Sequence, residues 1–291
     1  MSSATKYCTL GPKDARHGII FLHGWRQGGP DMKSSFRATL QQHGSGQLLR
    51  DTCVYFFTAT RHADDDDGAP QWFAYRTNDR LSFEAEQLLV HRARLHQLLH
   101  RLRARHMRRG GMISIGGYSQ GACMALDVAL TAGVQGLRVL LVAGFCMLPR
   151  YVSCFGWHGY VPSKETRLSV WVLHGKRDSE ISWALARRSY DAMCEMYGDV
   201  DGSGSCAGGA GVELAHVCLT DHDHWSIWET PEASQILREF SGEAEDADQM
   251  GEAAASACSQ LSRERSAVAM ASTDDSENVP PSNVKTSVSH G

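Results

Sequence analysis

The tightest constraint on this chain is the segment Gly116-Gly117-Tyr118-Ser119-Gln120-Gly121. It follows Met112-Ile113-Ser114-Ile115, an apolar run that predicts a buried strand. It precedes Ala122-Cys123-Met124-Ala125-Leu126, which predicts the start of a packed helix. Strand, Gly-x-Ser-x-Gly and helix together define a sharp turn that holds its serine in a strained backbone conformation. The residues two before and two after that serine must be small, and here they are Gly117 and Gly121. The following helix aims its N-terminal N–H groups at the same point, where they can stabilise a developing negative charge. Ser119 is therefore the candidate nucleophile.

Other segments supply the sheet that such a turn requires. His17–Leu22, Cys53–Phe57, Leu137–Val142, Leu168–Leu173 and Val212–Leu219 are apolar, β-branched or aromatic runs of strand length. Helical patterns are expected over Ser34–Gln42, Phe83–Arg109, Ser182–Met196 and Pro231–Phe240. This alternation predicts an α/β fold with a mostly parallel central sheet and helices on both faces. In the longest pattern, Leu88, Leu95, Leu99 and Leu102 recur at helical spacing among many arginines. A leucine face on the sheet and a wet arginine face account for it, although a basic amphipathic helix also suits an anionic membrane or a partner.

Residues 1–240 are expected to form one catalytic domain. From Ser241 onward the apolar period ends and acidic residues, Ser and Ala dominate, so 241–291 is expected to be a disordered tail. Net charge is −4, which gives no argument for nucleic acid as a partner. No run approaches the ~18 apolar residues of a membrane span, and Met1 to Lys6 is polar, unlike a secretory leader. The nine cysteines are scattered, with no C-x-x-C pair, as in a reduced cytosolic protein. A cytoplasmic location is the expectation.

A serine hydroxyl needs a base in hydrogen-bond reach, and the base needs an orienting acid. One chain order for these groups is Ser, Asp, His. Downstream of Ser119, an Asp follows one strand in His174-Gly175-Lys176-Arg177-Asp178-Ser179-Glu180, and a His follows the next in Asp221-His222-Asp223-His224-Trp225. Asp178 is preferred to Glu180 because it lies nearer the strand end, while His224 competes with His222. Upstream, His23-Gly24-Trp25-Arg26-Gln27-Gly28-Gly29 leaves a strand as a glycine-rich loop, the natural source of a second oxyanion donor. His23 and His174, each before a glycine at a strand end, are expected to make structural hydrogen bonds. Asp64-Asp65-Asp66-Asp67 lacks the spaced ligands and Gly of a calcium loop, and the 221–224 cluster lacks a matching third group, so no metal is expected. Cys146 to Glu165, with Trp157, His158 and Tyr160, has no clear period and is expected to be a lid or a pocket wall.

Phe21-Leu22-His23-Gly24-Trp25, Gln71-Trp72-Phe73, Gly117-Tyr118-Ser119-Gln120-Gly121, His174-Gly175-Lys176-Arg177-Asp178 and the His224 loop occur in the order of a known family. Across about Gly18 to Phe240 the chain resembles the carboxylesterase/phospholipase family of α/β-hydrolases, whose best-known members are the acyl-protein thioesterases. The resemblance implies Ser119 as nucleophile, Asp178 as acid and His224 as base. It further implies backbone N–H groups of Trp25 and Gln120 as the oxyanion hole and Trp72 and Phe73 as a pocket wall. No cofactor is implied. The substrate would be a small-molecule or lipid acyl ester, or an S-acylated protein. Two features depart from the thioesterases: Trp25-Arg26-Gln27 replaces a small apolar residue and Gly-Asp, and Ala122 stands where a second glycine is usual. The Arg-Gln pair resembles the fungal-type serine hydrolases related to the ovarian-tumour-suppressor hydrolase.

Overall fold

A computed structural model describes residues 7–44, 46–61, 68–75, 82–147, 153–155, 167–197 and 211–241. The Asp64–Asp67 run, Trp157, His158, Tyr160, residues 198–210 and the segment from 242 onward lie outside the described residues.

The sheet has seven strands. In chain order they are β1 (Tyr7–Leu10), β2 (His17–Leu22), β3 (Thr52–Phe57), β5 (Ile113–Tyr118), β6 (Leu137–Val142), β8 (Arg167–Gly175) and β9 (Gly211–Thr220). Two short strands, β4 (Ser82–Glu84) and β7 (Ser153–Phe155), pair separately. The spatial order is β1-β3-β2-β5-β6-β8-β9, and every pairing in the large sheet is parallel except that of β1 with β3. The helices are α1 (Gly29–Gln42), α2 (Ala85–Met107), α3 (Gln120–Thr131), α4 (Trp183–Tyr197) and α5 (Pro231–Ser241).

Parallel strands covered on both sides bury both faces, so alternate residues feed different cores. Ile20, Leu22, Tyr55 and Phe57 join the core made with Leu88, Leu95, Leu99 and Leu102 of α2, with α3, and with Tyr190 of α4. Ile19, Phe21, Val54 and Phe56 join the core on the other face, with Met32 and Phe36 of α1 and Ile236 and Phe240 of α5. The leucine face of α2 thus lies on the sheet, and Arg94, Arg101 and Arg108 are exposed.

The expected elements are all present, with shifted ends. Helix α1 begins at Gly29, inside the anticipated glycine loop, because Pro30 suits a first turn and Asp31 accepts the Gly28 N–H at 2.8 Å. Strand β8 runs through His174-Gly175, drawn on by pairing with Leu219 and Thr220. Strand β1 was not anticipated, since an antiparallel edge strand of four residues carries little periodicity. No helix among the described residues is long and apolar enough to cross a membrane.

Candidate active site

Ser119 leaves central strand β5 with φ 53° and ψ −121°, a backbone region that side chains rarely enter. Its N–H is fixed to the Val142 carbonyl at 2.8 Å. A methyl on Gly117 would strike the Gly121 carbonyl, and one on Gly121 would strike the carbonyls of Leu22 and His23. Both glycines are therefore required by close backbone approach, and α3 begins against the exit of β2.

Two further loops arrive at the same end of the sheet. Asp178 follows β8 and His224 follows β9, and backbone bonds fasten the loops to each other. Lys176 N–H donates to Thr220 O at 2.8 Å and Arg177 N–H to His222 O at 3.1 Å. Tyr118, the residue before the serine, donates its hydroxyl to His224 O at 2.8 Å. His224 Nε2 lies 2.9 Å from Ser119 Oγ, and its Nδ1 lies 2.7 Å from Asp178 Oδ2. Asp178 Oδ1 accepts the N–H groups of Glu180 and Ile181 at 2.9 and 2.8 Å. All three residues are buried, at 5%, 5% and 2% exposure for Ser119, Asp178 and His224.

The two ambiguities separate cleanly in geometry. Glu180 meets Asp178 through its backbone N–H. His222 is exposed and its ring faces Ser226 Oγ at 3.3 Å. Asp223 caps the following turn, its Oδ1 accepting from Trp225 N–H and from both N–H and hydroxyl of Ser226. Those bonds favour the charged carboxylate and hold the Asp223 pKa below its usual value. Among the described residues no group of three or more His, Cys, Asp or Glu is placed to hold a metal ion.

His23 and His174 are structural in the way a histidine at a strand end is expected to be. His23 donates from Nδ1 to Gly24 O at 2.7 Å, and its Nε2 accepts Ala59 N–H at 2.9 Å. Burial lowers its pKa to about 4, so the ring is neutral. His174 donates from Nε2 to Ile181 O at 2.8 Å, bracing the residue whose N–H holds Asp178.

Trp25 stands half-buried in the loop after β2, which we term the strap (residues 23–28). Its indole N–H donates to Gln71 Oε1 at 3.2 Å. Leu22 pairs with Gly117, so the strap departs beside the Ser119 turn. Gln120 opens α3, where a first-turn N–H has no acceptor within the helix. Trp72 and Phe73, assigned by resemblance to a pocket wall, have side chains only 2% and 0% exposed and packed against protein. Three contacts were not legible in advance: the Gln120 side chain on the backbone of Trp72 and Phe73, His91 on Trp72, and the Tyr118 hydroxyl on His224. Of these, only His91 left a signal, as a polar residue at an inward position between Leu88 and Leu95.

A neutral imidazole between a hydroxyl and a buried carboxylate can take the hydroxyl proton as the oxygen attacks an acyl carbon. Carried by a serine on a strand-to-helix turn in this sheet, the arrangement is that of the α/β-hydrolase fold. The chain belongs to the phospholipase/carboxylesterase family, whose model matches residues 9–207 and so includes Ser119 and Asp178 but ends before His224. Among solved structures, a carboxylesterase from Mesorhizobium loti aligns with TM-score 0.58 at 15% identity, over 84% of this chain and 98% of that one. Acyl-protein thioesterase 2 from Zea mays aligns with TM-score 0.53 at 18% identity, over 81% and 99%. The Bacillus cereus carboxylesterase gives 0.53 at 15%, over 81% and 96%. At these identities the likeness speaks for the fold. A search of curated proteins gave no significant match.

Proposed function

We propose that the protein is a serine hydrolase of acyl esters or thioesters, with the activity carried by residues 1–240. The observation that carries this reading is the unbroken line from Ser119 Oγ through the His224 ring to Asp178, with bonds of 2.9 and 2.7 Å. Ser119 Oγ bonds to the acyl carbon as its proton passes to His224 Nε2. The N–H groups of Trp25 and Gln120 receive the oxyanion. The tetrahedral intermediate collapses, and His224 returns the proton to the departing alcohol or thiol. Water then attacks the acyl-enzyme with His224 as base, releasing the carboxylic acid and restoring the serine hydroxyl. Asp178 holds the ring with Nδ1–H toward itself and stabilises the imidazolium. No step requires a cofactor.

The substrate class is a small-molecule or lipid acyl ester, or an S-acylated protein. The named activities of the carboxylesterase and thioesterase neighbours support that range. The test is covalent labelling by a fluorophosphonate together with turnover of graded acyl oxyesters and thioesters. Wild-type protein should label, and Ser119→Ala should lose both label and turnover, the latter by roughly 10⁴- to 10⁶-fold. Labelling or turnover that survives the substitution overturns the assignment.

A further inference from the structure

We infer that Trp72, clamped by Gln120, His23 and His91, is the positioning residue of the oxyanion strap, fixing the strap against the first turn of α3. The inference rests on the proposed function, since it concerns where two backbone donors stand relative to each other.

Those donors lie on different elements. Gln120 is on α3, and Trp25 is on the strap after β2. Three of the strap's outward bonds converge on one short segment, residues 70–72. Arg26 N–H donates to Pro70 O at 3.1 Å, Trp25 Nε1–H to Gln71 Oε1 at 3.2 Å, and His23 O accepts Trp72 Nε1–H at 2.8 Å. Arg26 has φ 62°, a left-handed conformation that costs a non-glycine residue about 1 kcal/mol or more. The bond to Pro70 helps hold it there.

That segment is in turn fixed to α3 by the residue that also offers the second donor. Gln120 Oε1 accepts Trp72 N–H at 2.9 Å, and Gln120 Nε2 donates to Phe73 O at 2.8 Å. The remaining polar atom of Trp72, its carbonyl, accepts His91 Nδ1–H at 2.8 Å. Every polar atom of Trp72 is thus committed, each to a different element. Its ring is held between His23 and His91, with ring centroids 4.9 and 5.2 Å away. Both histidines are secured by backbone just beyond β3, Ala59 N–H on His23 and Thr60 N–H on His91. The structure joins the two donors through Trp72, whose side chain is itself removed from solvent.

The substitution Trp72→Phe keeps a ring and removes only the indole N–H with part of the bulk. With a p-nitrophenyl acyl ester, kcat should fall about tenfold to a hundredfold, as for donors displaced by a fraction of an ångström to an ångström. KM should stay within about twofold. Binding of a trifluoromethyl ketone, which forms a tetrahedral adduct on the serine, should weaken by the same factor as kcat/KM. Gln120→Met keeps the backbone N–H and removes both side-chain bonds, and should act in the same direction. It also serves where Trp72→Phe does not fold. Tyr55→Phe is the control: it deletes a buried bond to His106, at 3.1 Å, from a residue level with Ile115 rather than the serine turn. It should lower Tm and leave kcat unchanged. The inference is overturned if the folded Trp72→Phe or Gln120→Met protein turns over at the wild-type kcat, or loses only KM. A dead Ser119→Ala beside a fully active Trp72→Phe sinks this inference alone. An active Ser119→Ala sinks the proposed function instead.

Discussion

The two sides of Ser119 are built differently. On the strap side, neutral histidines and an amide lock backbone to backbone: His23, His91 and Gln120 each bond main-chain groups and none faces the serine hydroxyl. On the other side, one carboxylate is held by two N–H groups and passes its orientation to one imidazole. Both sides use histidine, to opposite ends. On the proposed function, the strap side would present dipoles that do not move while charge develops, which suits protons fixed in place. On that reading the acid–base side would move a proton, which suits a His224 ring that stands between a hydroxyl and a carboxylate rather than between two amides. On the proposed function, damage to the acid–base side should cost more rate than damage to the strap side.

Asp178→Asn set against Trp72→Phe gives the largest contrast between the two sides. Asp178 Oδ1 is satisfied by the N–H groups of Glu180 and Ile181, so the asparagine carbonyl must take that position. Its NH₂ then faces His224 Nδ1, which can only accept. The ring proton is driven to Nε2, where it confronts Ser119 Oγ and leaves no base. The expected loss in kcat is about 10⁴-fold with little change in fold, against the tenfold to hundredfold expected for Trp72→Phe. Steady-state kinetics on both variants checks the order. If Asp178→Asn loses less than Trp72→Phe, the division between the two sides fails.

The next effect is on stability, and two buried rings of the strap side contribute to it. Burial lowers the pKa of His23 to about 4 and also lowers that of His91. The folded protein holds both rings neutral, because Ala59 and Thr60 offer N–H groups where a second ring proton would have to sit. The unfolded chain takes up protons once pH falls below about 6.5. Stability is therefore full above that value and declines as pH drops toward 4, by about 3 kcal/mol for His23 alone. Buried His174 contributes in the same sense from the other side. Denaturant unfolding at pH 7.5 and pH 5 measures it. Equal stability at the two values would mean that these rings are not held neutral by the fold.

What could be read in advance followed the same division. Ser119, Asp178 and His224 each sit at the end of an apolar run, so a strand-by-strand reading places them at one end of the sheet. The bracing groups carry no such mark. Gln120 reads as the residue after the nucleophile, and only the folded chain brings its amide to Trp72 and Phe73, 48 and 47 positions away in sequence. Trp72 was legible as belonging near the site, but its burial depends on packing between α2 and the strap, which no local pattern encodes. Strand β1 escaped for a related reason: an edge strand is specified by its partner β3 more than by its own residues.

The smallest effect tests whether the acid–base side has been assigned to the right members of its two pairs. His222 is exposed and bonded to Ser226, and Glu180 meets Asp178 through its backbone, which a side-chain change leaves in place. His222→Ala and Glu180→Gln should each change kcat/KM by less than about twofold, since neither alters the line from Ser119 to Asp178 and surface changes of this kind cost roughly 0.5 kcal/mol or less. The sharper comparison is within each loop. His224→Ala removes the ring bonded to the serine, and rate should fall by orders of magnitude while His222→Ala beside it remains active. A His222→Ala protein as impaired as His224→Ala would mean that the loop presents the other ring during turnover. The Tyr118 hydroxyl, bonded to His224 O at 2.8 Å, argues against that exchange. It ties the backbone of His224 to the residue preceding Ser119, so the loop cannot slide two residues without losing a buried hydrogen bond.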